Sequence, residues 1–248
     1  MSELSFSSLA ARAANRFQPG GRFAVGFAKG KLTGDPVFEY FLRDGVLSES
    51  SNILDLGCGQ GILSALLVES AKAQTEGQWP ANWPPVSADN IHGIELMPSD
   101  VRRAQAALGH HAPGEGASFE VGNIATTAFS ACDTVVILDV LHYLPYDAQV
   151  DVLERVYAAL KPSGQLLLRI GDQDGGFGFR WSNWVDHVVT WCRGHRLPRL
   201  YCRSLDEWVD LLKTLGFQVE VKPMSQGTMF ANVLLLASLS SAGKTSHE

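Results

Sequence analysis

The stretch "NILDLGCGQGILSALL", Asn52 to Leu67, decides how the chain is read. An apolar, β-prone run ends at Leu56, glycines follow at Gly57, Gly59 and Gly61, and Ile62, Leu63, Ala65, Leu66 and Leu67 then resume at helical spacing. The segment reads as strand, tight turn and helix. Glycine is required where the backbone takes positive φ, or where another molecule touches the main chain and leaves no room for a Cβ. Three such positions in one turn point to a ligand at the carboxyl end of the strand.

Outward from this unit, strand and helix patterns alternate. Strands are expected at Asn52 to Leu56, Ile91 to Glu95, Ser118 to Gly122, Thr134 to Leu138 and Gln165 to Ile170, and helices at Ile62 to Lys72, Ser99 to Leu108 and Asp147 to Leu160. "DTVVILDV" is apolar on successive residues, as in a parallel strand covered on both faces. A doubly wound α/β sheet follows. Near the end, "SLDEWVDLLKTLGF" predicts a helix with Ser204 as N-cap and Gly216 beyond its last turn. The strands "QVEVKP" and "NVLLLAS" are separated only by "MSQGTMFA", too short for a helical crossover, so they are expected to pair antiparallel. The polar "SAGKTSHE" reads as a disordered tail, and the proline-rich "TEGQWPANWPPVSADN" as a surface insertion.

At 248 residues and 46% apolar content the chain can bury a substantial core. A net charge of -6 argues against long-range attraction to nucleic acid or anionic membrane. No N-terminal window combines a basic segment with an apolar run of about 7 to 15, and nothing approaches the run of about 18 to 20 that spans a bilayer, so a cytoplasmic location without a membrane span is expected. Cys58, Cys132, Cys192 and Cys202 lack zinc-site or disulfide-framework spacing and are read as free thiols, and no metal is expected. His110 and His111 stand beside "APGEG" and are assigned no role.

A glycine turn opening a helix presents N–H groups and a partial positive charge, which suit a pyrophosphate or a carboxylate. The spacing here is Gly57-x-Gly59-x-Gly61 rather than the dinucleotide Gly-x-Gly-x-x-Gly, and Asp55 stands two residues before the first glycine. An acid is badly placed beside a pyrophosphate and well placed beside an ammonium or ribose. Glu95, ending the second strand in "HGIEL", can accept both hydroxyls of a ribose. Asn123, in "VGNI", ends the third strand where an amide can read a purine edge, and "LDVLHYLP" ends the fourth at the same rim.

"ILDLGCGQG", "IHGIEL", "EVGNI", "DTVVILDVLHYLP", "LKPSGQLLLRI" and the terminal strand pair together resemble a class I S-adenosylmethionine-dependent methyltransferase over about Asn52 to Ser238. The resemblance implies a seven-stranded, mostly parallel sheet with the last strand inserted antiparallel, and S-adenosylmethionine lying across the strand ends. It assigns Asp55, Gly57, Gly59 and Gly61, with Cys58 between them, to the methionine part, and Glu95 to the ribose. Met97, next to Leu96, would pack on the adenine that Asn123 and Ile124 read, while Asp139, Val140 and Leu141 pass beside the cofactor. The expected organisation is a helical N-terminal cap at 1–45, a methyltransferase domain at 46–240 with an acceptor-side insertion at 171–203, and the tail at 241–248.

The function implied is methyl transfer to a small, aromatic or acyl-linked acceptor, with O-methylation favoured because "DVLHYLP" replaces the Asp/Asn-Pro-Pro-Tyr of many N-methylating relatives. A hydroxyl acceptor needs a base, for which His142 and then Tyr143 are the candidates. Phe177, Phe179, Trp181, Trp184 and Trp191 either line an aromatic acceptor's site or form the insertion's own core. "GKLTGDPVF", Gly30 to Phe38, resembles methyltransferases of aryl polyene pigment pathways. That implies an acceptor on an acyl carrier protein, which Arg12, Arg16, Arg22, Lys29 and Lys31 could meet unless they form a solvated face; Lys31 or Arg22 could instead close over the cofactor carboxylate. The alternatives are a catalytically silent cofactor-binding partner or sensor and, less well matched, a nicotinamide oxidoreductase.

Overall fold

The computed structural model describes residues 3–48, 50–111, 116–171, 200–224 and 232–239. The expected tail and Phe177, Phe179, Trp181, Trp184 and Trp191 of the 171–203 insertion lie outside the described residues, as does Cys192.

Three helices open the chain: α1 (Phe6–Asn15), α2 (Gly21–Gly34) and α3 (Pro36–Arg43), with a 3-10 turn at Gln18–Gly20. The alternating part follows as β1 (Asn52–Leu56), α4 (Ile62–Thr75), β2 (Asn90–Glu95), α5 (Pro98–Leu108), β3 (Gly116–Val121), β4 (Cys132–Leu138), α6 (Tyr146–Ala159) and β5 (Leu160–Gly171). After the undescribed stretch come α7 (Leu205–Thr214), β6 (Phe217–Pro223) and β7 (Asn232–Leu239). The seven strands form one sheet in the order β3-β2-β1-β4-β5-β7-β6. β7 lies antiparallel between β5 and β6, and the other neighbouring pairs are parallel. The doubly wound sheet and its antiparallel terminal pair are as the sequence implied.

Among the expected boundaries that shift, two do so for local reasons. β5 begins five residues earlier than its apolar run, because Leu160 pairs with Cys132 directly after α6 and the ladder resumes past an irregularity. β3 begins at Gly116, whose N–H donates to Asp89 O at 2.7 Å.

Alternate side chains of the central strands feed two cores. Ile53, Val136 and Leu167 pack with α1, α3, α4 and α5, whereas Leu54, Ile137 and Leu168 pack with α6 and α7. Because α4 is covered by the sheet and by α1, even Ser64, Glu69 and Ser70 are buried on it. Glu69 is held by Arg16 at 2.6 Å and by Arg12 at 3.0 Å, and Arg12 also reaches Glu76 and Gln78. These two arginines fasten α1 to α4, which corrects the reading of residues 12 to 31 as one free basic face; Arg22 and Lys29 are the exposed members. α7 has the expected start, with Ser204 and Glu207 forming a reciprocal capping box, and Gly216 follows it at φ +97°. Among the described residues no helix is long and apolar enough to cross a membrane.

Candidate functional site at the carboxyl edge of the sheet

The three glycines of the turn all have positive φ, but for different reasons. At Gly57 a Cβ would lie 2.3 Å from Cγ2 of Val140 and within 3.1 Å of two more of its carbons, so β4's end sits directly on the turn. At Gly61 a Cβ would press on Phe119 and Ala104. At Gly59 nothing lies within 4 Å of where a Cβ would stand, which leaves an open cradle over the main chain. The main chain at Gly59 is therefore bared, whereas packing by itself requires glycine at Gly57 and Gly61.

The turn's N–H groups are largely spent. Gly57 and Cys58 donate to Ile94 O, Gly61 donates to Cys58 O, and Gly59 donates to Glu95 Oε2 at 3.1 Å. The anion-binding turn expected from the glycines is thus mostly closed to an anion. Two carboxylates flank it instead. Asp55, 4% exposed, has no hydrogen-bond donor among the described residues, and burial, with the Glu95 charge adding to it, pushes its carboxyl up to about 7. Glu95 is likewise raised by burial, although N–H groups of Met97 (2.8 Å) and Gly59 oppose the rise. Each Glu95 oxygen carries one backbone N–H, and an ionised carboxylate has about four acceptor positions. Capacity for a pair of hydroxyls remains. The Cys58 thiol is pushed well up by burial and lies against Gly93, so it is an inert packing group.

Further along the rim, Met97 precedes α5 as its N-cap and Leu96 is exposed. Asn123 Oδ1 accepts the Ala125 N–H at 3.0 Å, closing a turn and leaving its amide nitrogen outward of that bond. Ile124 and Leu141 are buried in the α6 and α7 core, so only their main chains belong to the rim. A short turn, Leu141–Tyr143, carries His142 and Tyr143 with ring centroids 4.2 Å apart.

Two residues that set this rim were not singled out in the sequence. Gln149, fully buried, donates to the carbonyls of Leu141, Leu144 and Tyr201 and accepts from Arg203, so it ties the His142 turn to the chain re-entering at 200. Arg169, 1% exposed on β5, grips Asp139 with Nε (2.8 Å) and Nη2, and Asp35 with Nη1. Burial alone would raise Asp139, but Arg169 and Lys31 reverse this and hold its carboxyl below the ordinary value. A charged residue inside "LLLRI" was the available signal: in a central strand an arginine must find buried acids. Among the described residues no group of His, Cys, Asp or Glu could hold a metal ion.

Comparison with known proteins agrees with this geometry. A family model described as a methyltransferase domain matches residues 31–221. A carboxy-S-adenosyl-L-methionine synthase of Chromohalobacter salexigens is 30% identical over 118 residues, which cover 48% of this chain and 39% of that protein. The match therefore spans well under half of that relative. Among solved structures, magnesium protoporphyrin IX methyltransferase from Synechocystis PCC 6803, with bound SAH, superposes with a TM-score of 0.57 at 20% identity, covering 95% of this chain and 96% of that one. Human N-acetylserotonin methyltransferase in complex with SAM gives 0.56 at 19% identity, covering 95% and 59%. These structures share the class I methyltransferase fold, and with a family model spanning well over half of its length, the chain belongs to the methyltransferase domain family.

Proposed function

We propose that the protein binds S-adenosylmethionine across the β1, β2, β3 and β4 ends and transfers its methyl group to a small aromatic or acyl-linked acceptor, with oxygen as the methylated atom. The observation that carries this reading is the open cradle at Gly59 flanked by two carboxylates, the buried Asp55 and the part-buried Glu95, while the N–H groups of Gly57, Cys58, Gly59 and Gly61 are already engaged. Such a site repels a pyrophosphate and suits an ammonium and a ribose diol, which separates it from a nicotinamide site. It fits the methyl donor on the chemistry of its own residues.

Bound there, the cofactor supplies a methyl on a sulfonium, already activated for in-line displacement. The protein's part is to bind, orient and exclude water. Asp55 pairs with the ammonium, Glu95 accepts the ribose hydroxyls, Met97 packs on the adenine, and the Asn123 amide reads its edge. His142 takes the proton of a hydroxyl acceptor, and the tilted Tyr143 ring packs against it. His142→Ala is expected to lower kcat about 10²-fold with a phenolic acceptor and leave cofactor affinity near wild type, by the usual loss of a general base; turnover within tenfold of wild type would assign His142 to packing. A carrier-linked acceptor would meet Arg22 and Lys29, since Arg12 and Arg16 are held by Glu69.

Asp55 gives the site a pH signature. Its carboxyl is near 7 when folded against about 3.9 unfolded. The raised value favours the folded state below pH 4, and that contribution is lost as pH rises through 7. A bound ammonium needs the ionised form, so binding releases a proton below pH 7. The affinity for S-adenosylhomocysteine should therefore rise between pH 5 and 7, by up to about tenfold per unit, and flatten above. Titration calorimetry in two buffers of different ionisation enthalpy measures both slope and proton release. A flat profile in wild type would remove Asp55 from the ammonium site.

A further inference from the structure

Lys31 and Asp35 belong to the motif Gly30 to Phe38, for which the glycine turn and its carboxylates provide no use. Asp35 stands at the junction of α2 and α3. Its Oδ1 accepts the Val37 N–H at 3.2 Å and so caps α3, while Oδ2 meets Lys31 Nζ at 2.9 Å and Arg169 Nη1. The other two Arg169 nitrogens hold both oxygens of Asp139, and Lys31 Nζ lies 3.7 Å from Asp139 Oδ2.

Asp139 is one of two described non-glycine residues with positive φ, at 58°. A side chain adopts that conformation when its surroundings hold it there. The next residue, Val140, is the one that stands over Gly57. A continuous run of contacts thus joins the N-terminal helices to the ligand turn: Asp35 and Lys31 to Arg169, Arg169 to Asp139, and Asp139 through Val140 to Gly57.

We propose that Arg169 is a positioning residue for the ligand site, and that Asp35 and Lys31 set it from the N-terminal helices. The planar guanidinium takes one carboxylate along its Nε edge and another at Nη1, so the two acids are fixed relative to each other. Removing Asp35 leaves a buried N–H of Arg169 without its acceptor and frees the fork to tilt, and the Asp139 backbone tilts with it. Docking of residues 30–38 onto the sheet therefore sets how closely the Asp139 to Leu141 rim approaches the glycine turn. Its effect on ligand affinity rests on the cofactor reading above.

Three substitutions isolate this role. Asp35→Asn still caps α3 but loses the charge. Asp139→Asn still tolerates positive φ but loses the charge and one of the two acceptor oxygens that Arg169 holds. Arg169→Lys keeps the charge and loses the fork. In the folded variants, affinity for S-adenosylhomocysteine by calorimetry should weaken about tenfold for Asp139→Asn and Arg169→Lys and about threefold for Asp35→Asn. Without any ligand, amide hydrogen exchange at residues 57–59 and 139–141 should quicken in Asp35→Asn, although no hydrogen bond or ion pair joins Asp35 to those segments.

A lowered thermal midpoint with wild-type affinity and wild-type exchange at those segments would overturn the proposal. Should Arg169→Lys fail to fold, the two Asn variants decide. Because exchange is read on the free protein, it tests the positioning run even if the wild type binds no S-adenosylhomocysteine, a result that would instead sink the cofactor reading.

Discussion

Gly57→Ala should destabilise the protein by about 3 kcal/mol, made of ~1 kcal/mol or more for a side chain at φ +77° and 1–3 kcal/mol for overpacking. Three carbons of Val140 lie within 3.1 Å of the new methyl, so rotating the valine does not clear the clash. For a chain of this size the midpoint should fall by about 6–12 °C. Gly59→Ala should behave differently. It carries the conformational cost of about 1–2 kcal/mol and meets nothing in the free protein, yet its methyl fills the cradle, so affinity for S-adenosylhomocysteine should fall at least about tenfold. Calorimetric unfolding and ligand titration of the two variants check this separation. Equal stability loss in both would mean that Val140 does not sit on Gly57.

Arg169→Met should cost about 3 kcal/mol at neutral pH, the lower end for breaking a buried ion pair because the Asp139 side chain is 35% exposed. The penalty should depend on pH. In the wild type Asp139 is held below its ordinary value, so its contribution is present above about pH 4 and lost as pH falls through the folded-state pKa. Without Arg169, Asp139 loses the main partner that holds its carboxyl low, and burial then favours its neutral form. Acid should then spare the variant, and the stability difference should shrink as pH falls from 6 toward 4. Urea unfolding of both proteins across that range reads the difference; a pH-independent gap would mean that the loss is one of packing.

The parts of the fold legible in the sequence were those set by local pattern. The β1 to α4 unit appears where its glycines and periodicity put it, and α7 starts and stops at Ser204 and Gly216. The antiparallel last pair followed from the length of one loop. What stayed hidden depends on who meets whom across the sheet. Arg12 and Arg16 look like a solvated basic face until Glu69, more than fifty residues away, is found beneath them. Why position 57 must be glycine shows only once Val140 is placed above it, and the partners of Arg169 only once Asp35 and Asp139 converge on it. The site divided likewise. Asp55 and Glu95 reach the expected rim, whereas the turn's N–H groups prove to be engaged by Ile94 and by Glu95 itself.

The most direct test of the central claim is thermal unfolding of the wild type with S-adenosylhomocysteine and, separately, with NADH. Binding to the native state at a hundredfold excess over Kd stabilises by about 2.7 kcal/mol, a rise of roughly 5–11 °C for this size. The account predicts that rise with S-adenosylhomocysteine and none with NADH. No rise with millimolar S-adenosylhomocysteine in a folded sample, or an equal rise with NADH, would contradict it.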